Sequence, residues 1–158
     1  MRTISPAPVR RSVEVKTGVE HAFEVFTARF GSWWPPSHTI SKGKLKTAII
    51  EPRVGGRWYG EDEDGSTTQW GHVLAFEPPS RLVLAWQISS DWAFDPKVVT
   101  EVELRFVALG PELTRVELEH RNLERLGPKY EAMRAAFESP NGWGAMLAFY
   151  AAAAEAAP

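Results

Sequence analysis

Cysteine is absent from the 158 residues, which excludes a disulfide framework, a thiolate metal site and a cysteine nucleophile. Net charge is nearly absent too. Eighteen Lys and Arg against 20 Asp and Glu leave a formal charge of -2, too little for a broad field that would gather nucleic acid or an anionic membrane surface. No apolar run reaches membrane-spanning length. Arg2, Arg10 and Arg11 near the start are not followed by a hydrophobic segment of signal-peptide form. The expectation is a cytoplasmic protein with neither nucleic acid nor membrane as partner.

Signatures of metal and cofactor chemistry are missing as well. His21, His38, His72 and His120 show no short zinc-ligand spacing. The acidic tip Glu61-Asp62-Glu63-Asp64-Gly65 lacks the alternating oxygen ligands and distal glutamate of an EF-hand. The glycines lack a phosphate-cradling lysine and a dinucleotide fingerprint, and no seryl nucleophile elbow occurs. No metal, no cofactor and no assignable catalytic residue are therefore expected.

What the chain does have is apolar patterning. At 17.7 kDa and 44% hydrophobic it can bury one sizeable core, and a single domain is expected over residues 9–154. Ser12 to Val15 reads as an opening strand, and Val19, Ala22, Phe23, Phe26 and Phe30 form one helical stripe. Gly31 and Pro35-Pro36 interrupt that helix beside the bulky pair Trp33-Trp34.

Six strands follow, at about Leu45–Ile50, Arg57–Tyr59, Thr68–Phe76, Leu82–Gln87, Thr100–Leu109 and Arg115–Arg121. Asp64-Gly65 supplies a hairpin signal, and Pro78-Pro79 limits the strand before it. Val102, Leu104 and Phe106 alternate with Glu101, Glu103 and Arg105, and the same period recurs through Val116 and Leu118, so one sheet face is dry and the other wet. From Asn141 onward, Trp143, Met146, Leu147 and Tyr150 share one face of a second helix. The predicted fold is α+β: a curved antiparallel sheet wrapped around a C-terminal helix, with short helices near the N-terminus.

Several ordered segments also carry a resemblance. They are Arg53-Val54-Gly55-Gly56, the run from Trp70-Gly71 through Pro78-Pro79 to Trp86, the alternation Thr114, Val116, Leu118, His120, and Gly142-Trp143. Over about Val13 to Tyr150 the chain resembles the activator-of-Hsp90-ATPase homologue branch of the START/Bet v 1-like (SRPBCC) superfamily. The resemblance implies a helix-grip fold around a hydrophobic cavity. Its members include ligand carriers, cyclases and relatives of a chaperone activator, so the fold by itself selects no reaction.

Candidate ligand-contacting residues follow from placement. Trp86 continues the Leu82, Leu84 alternation, and His120 continues Val116 and Leu118 onto the inward face, where its imidazole can serve as a structural hydrogen-bonding group or meet a ligand. Trp143, Met146 and Tyr150 offer the inner face of the last helix, while Trp33, Trp92 and Phe94 sit where an entrance is expected. For each residue taken alone, core packing or loop anchoring is the preferred reading over ligand contact, and the direction of Trp70 and His72 stays open. Three functions follow in order: a domain that binds a small hydrophobic molecule, a chaperone-associated interaction module, and a small-molecule cyclase or hydrolase. Oligomeric state is not legible.

Overall fold

In a computed structural model, which describes residues 7–156, the chain runs β1 (Val9–Val15), α1 (Val19–Thr27), α2 (Phe30–Trp33), β2 (Leu45–Ile50), β3 (Arg57–Asp62), β4 (Thr67–Glu77), β5 (Arg81–Trp86), β6 (Thr100–Gly110) and β7 (Leu113–Arg121). A short 3-10 turn, α3 (Tyr130–Glu138) and α4 (Trp143–Glu155) complete it. The seven strands form one antiparallel sheet in the order β1-β7-β6-β5-β4-β3-β2, curled around the helices in a helix-grip arrangement.

The two-residue alternation explains the inner wall. Phe106 faces Val116, Leu104 faces Leu118 and Val102 faces His120 across the β6–β7 pair, and all six are buried. Each full burial of such an apolar side chain stabilises by about 1.5–3 kcal/mol. Phe23 and Phe26 of α1 meet Phe106 at centroid separations of 5.1 and 5.9 Å, and Phe26 meets Tyr150 of α4 at 5.2 Å. These contacts bind α1, α4 and the sheet into one core.

The outer face is a ladder of charge. The Glu103 carboxylate, 4% exposed, accepts from Arg81 Nε at 2.8 Å, from Arg105 Nε at 2.7 Å and from Arg121. Burial pushes its pKa up, but these three guanidinium groups outweigh that and hold it at about 2.

Strand boundaries differ from the sequence reading most at β3, which runs on to Asp62 rather than ending at Tyr59, at β7, which starts at Leu113 rather than Arg115, and at β1. β1 begins at Val9 rather than Ser12 because Arg11, at an inward register position between Val9 and Val13, hides the period. Its guanidinium donates to the Glu138 carbonyl at 3.2 Å, where a helix C-terminus leaves carbonyls free and favours a cation. Helix α3 was not legible at all, since only Met133 and Phe137 of its nine residues are buried.

Candidate functional site

A cleft of about 250 Å³ opens between the inner face of β4 and β5, the α2–β2 loop and the bend joining α3 to α4. That is just below the ~300–1,000 Å³ range usual for small-molecule sites. Its position follows from Gly142. A Cβ there would lie 2.1 Å from the Phe137 carbonyl oxygen and 2.6 Å from that of Ala136, so only glycine lets the chain turn this tightly against the last turn of α3. The bend then starts α4 with Trp143 and Met146 in the cleft wall.

The wall is aromatic. Trp86 lies 5.7 Å from Trp143 and 5.2 Å from Phe137, both edge to face, and Trp34 lies 5.7 Å from Trp70 and 6.2 Å from Trp143. Such pairs prefer offset or edge-on contact and add about 0.5–1.5 kcal/mol beyond area burial. The indole N–H groups of Trp58 and Trp70 are buried without an acceptor among the described residues.

Polar groups collect at one rim. The α2–β2 loop contributes Ser37, His38 and Thr39, and Asn141 faces them from the helical bend. His38 Nε2 lies 2.8 Å from the Asn141 carbonyl oxygen, and its Nδ1 lies 3.0 Å from Ser37 Oγ. A carbonyl only accepts, so Nε2 carries the proton and Nδ1 accepts from the Ser37 hydroxyl. The loop is fastened twice more, by Trp34 Nε1–H to the His38 carbonyl at 2.7 Å and by Ser41 Oγ to Asp62 at 2.8 Å.

Of the side chains singled out from sequence, Trp86, Trp92, Trp143 and Met146 line the cleft, whereas Trp33, Phe94, His120 and Tyr150 do not. Trp33 shares the core-facing side of α2 with Phe30, and its N–H goes to the Val25 carbonyl at 2.9 Å; the next residue, Trp34, takes the cleft position. Tyr150 is buried, donates to the Ala22 carbonyl at 2.7 Å, and has its pKa raised by burial. Phe94 bridges Ile88 in the β5–β6 connection. His72 pairs with Gln87 at 2.7 Å, away from the cleft lining.

His120 lies directly behind the wall. Trp143 Nε1 donates to its Nδ1 at 3.1 Å, which leaves the proton on Nε2, 2.8 Å from Thr100 Oγ1. Thr100 in turn donates to the Trp86 carbonyl at 3.3 Å. Both ring nitrogens are thus committed within the protein, and complete burial lowers the imidazole pKa to about 3. The group is a neutral strut that joins two wall tryptophans.

Trp92 is different in kind. It is 47% exposed at the mouth of the cleft and has φ 57, a left-handed backbone that costs a non-glycine residue about 1–2 kcal/mol.

The sequence reading preferred Trp33 to Trp34, left the direction of Trp70 open, and missed the polar loop residues Ser37, His38 and Thr39. Only the fastening of the α2–β2 loop to Asn141 and Asp62, both distant in sequence, brings the loop to the cleft.

Curled sheet, gripped helix and aromatic cleft together define a helix-grip domain. The chain belongs to the family described as Activator of Hsp90 ATPase homolog 1-like protein, whose model matches residues 16–154. Among solved structures it is similar to an anthrahydroquino-gamma-pyrone synthase, Txn09, at 41% identity over 94% of this chain and 97% of that one, with a TM-score of 0.66. It is also similar to the self-sacrificing resistance protein CalC from Micromonospora echinospora, at 31% identity over 94% of each chain and a TM-score of 0.68. The Aha1 dimer from Colwellia psychrerythraea, at 14% identity, 95% and 97% coverage and a TM-score of 0.61, shares the fold. A comparison with curated proteins found no match. Among the described residues no helix is long and apolar enough to cross a membrane.

Proposed function

We propose that residues 9–154 bind a planar, fused-ring aromatic small molecule with a few polar groups along one edge, seated against Trp34, Trp86 and Trp143. The observation that carries this reading is the division of the cleft into aromatic walls and a single polar rim. Flat rings gain dispersion and quadrupole contact from indole faces and edges, while hydroxyl and carbonyl groups meet Ser37, His38, Thr39 and Asn141. The 41% identity to an anthrahydroquino-gamma-pyrone synthase supports a ligand of this shape.

Isothermal titration with the hydroxylated anthraquinone alizarin tests the reading. Saturable binding at one molecule per chain is expected, weakened about tenfold or more by Trp86→Ala once circular dichroism shows the variant folded. Absence of saturable binding across a set of fused-ring phenols and quinones overturns it.

A second reading, a ring-closing enzyme acting on such a ligand, is favoured by one observation. His38 supplies the imidazole of the cleft lining, and its Nδ1 is held by the Ser37 hydroxyl, a rotor that can turn away and leave the nitrogen to a ligand. In that reading the imidazole takes the proton of an enol or phenol oxygen as the oxygen adds to a polarised carbon–carbon double bond of the same molecule. It then returns the proton to the adjoining carbon. One C–O and one C–H bond form, one O–H bond and one π bond are lost, and no oxidant is consumed. His38→Gln should then bind ligand normally but lose turnover by about 10²–10⁴-fold; equal turnover in both proteins removes the histidine from the chemistry.

A further inference from the structure

We infer that Trp92 is a ligand clamp, held at a glycine-type hairpin position so that its indole closes the cleft mouth over the flat ligand. The inference rests on the ligand reading above and adds the residue that completes the enclosure.

The chain contains its own control for this argument. In the β3–β4 hairpin, Asp62 N–H donates to the Ser66 carbonyl at 2.8 Å and Gly65 N–H to the Asp62 carbonyl at 2.9 Å, with Gly65 at φ 88. In the β5–β6 connection, Ser89 N–H donates to the Ala93 carbonyl at 2.8 Å and Trp92 N–H to the Ser89 carbonyl at 2.9 Å, with Trp92 at φ 57. The bonding is the same in both: a three-residue loop whose last position is left-handed and calls for glycine. One hairpin meets that demand. The other places the bulkiest side chain there.

Packing does not explain the choice. Trp86 lies within aromatic contact of Trp58, His120, Phe137 and Trp143, whereas Trp92 meets Phe137 alone, edge-on at 6.4 Å, with nearly half its surface in solvent. The base of the loop is nevertheless firm. Ile88 bridges Phe94, Asp95 N–H donates to the Gln87 carbonyl at 2.8 Å, and Gln87 Nε2 donates to the Pro96 carbonyl at 3.2 Å. A fixed backbone therefore presents a half-exposed ring at the cleft wall. A residue that breaks its turn's chemistry and gains little from the core is retained for what it touches in the cleft.

The test compares wild type with Trp92→Asn, which tolerates the left-handed backbone but has no ring, and Trp92→Phe, which keeps a ring on the same backbone. Melting temperature and alizarin affinity by titration calorimetry are measured for each. Trp92→Asn should melt about 2–4 °C higher and bind at least about tenfold more weakly. Trp92→Phe should melt within about 1 °C of wild type and bind within about threefold. Wild-type affinity in Trp92→Asn overturns the clamp and leaves the ligand reading standing. A lower melting temperature in Trp92→Asn shows that packing retains the indole, and also overturns it. No saturable binding by wild type removes the ligand reading and the clamp together.

Discussion

A completely buried imidazole with both nitrogens bonded in the dry interior, as in His120, is an instrument of position rather than of proton transfer. His120 accepts from Trp143 and faces Thr100, which faces the Trp86 carbonyl, so a change at this residue is felt in the cleft without touching its contents. His120→Phe keeps an aromatic body but strands the Trp143 N–H in a dry interior. Leaving such a donor unsatisfied costs about 1–3 kcal/mol, and chemical denaturation should show a loss of that size. Trp143→Phe strands the same bond from the other side. The double variant should therefore cost less than the two single losses added, by about 1 kcal/mol; strict additivity would mean the bond carries no stability. Ligand affinity should fall only modestly in His120→Phe, because Trp143 remains in the wall with its rotamer loosened.

The α3–α4 bend is the element on which the cleft depends. Gly142→Ala would drive a methyl group into the Phe137 and Ala136 carbonyl oxygens, forcing the helices apart. A melting temperature lower by about 5 °C or more is expected, since both oxygens belong to the backbone and a strain of ~2 kcal/mol or more moves a domain of this size that far; a variant melting like wild type would show that the bend has slack. Elements of strong period were legible from sequence: β6 and β7 announce themselves through Val102, Leu104, Phe106, Val116 and Leu118, and α4 through Trp143, Met146, Leu147 and Tyr150. Helix α3 was not, because two buried side chains a turn apart make too thin a stripe. The cleft was half legible for a related reason. Strand period placed Trp86 and helix period placed Trp143 and Met146, but the choice of Trp34 over Trp33 is made by a single turn of helix and by a loop tied to Asn141. No local pattern encodes that tie.

Over the whole molecule, two buried ionisable groups on opposite faces of the sheet act in the same direction on stability. His120 has its pKa lowered from 6.5 to about 3 by burial, so the unfolded chain binds the extra proton first, and stability falls as pH drops below 6.5 until about 3. Glu103 is lowered from 4.5 to about 2, its three arginines outweighing its burial, and its contribution is present above pH 4.5 and lost on going down to about 2. One proton taken up on unfolding costs about 1.4 kcal/mol per pH unit. Thermal melts should therefore shift down by roughly 3–6 °C per pH unit between 6.5 and 4.5 and more steeply below, and His120→Asn should flatten the upper part of that slope. A profile as steep in His120→Asn as in wild type would assign the upper range to other groups. The strand order has a consequence in time. β1 is the first strand to be made and pairs with β7, Val9 against His120, while Lys16 N–H meets Glu155 near the other end at 2.8 Å. At synthesis rates of about 5–20 residues per second, the opening strand waits roughly 5–20 seconds for its partner to be made. During that interval Val9, Val13 and Val15 lack the strand they pair with. Of the seven strands, the first in chain order is thus among the last to take its place in the sheet.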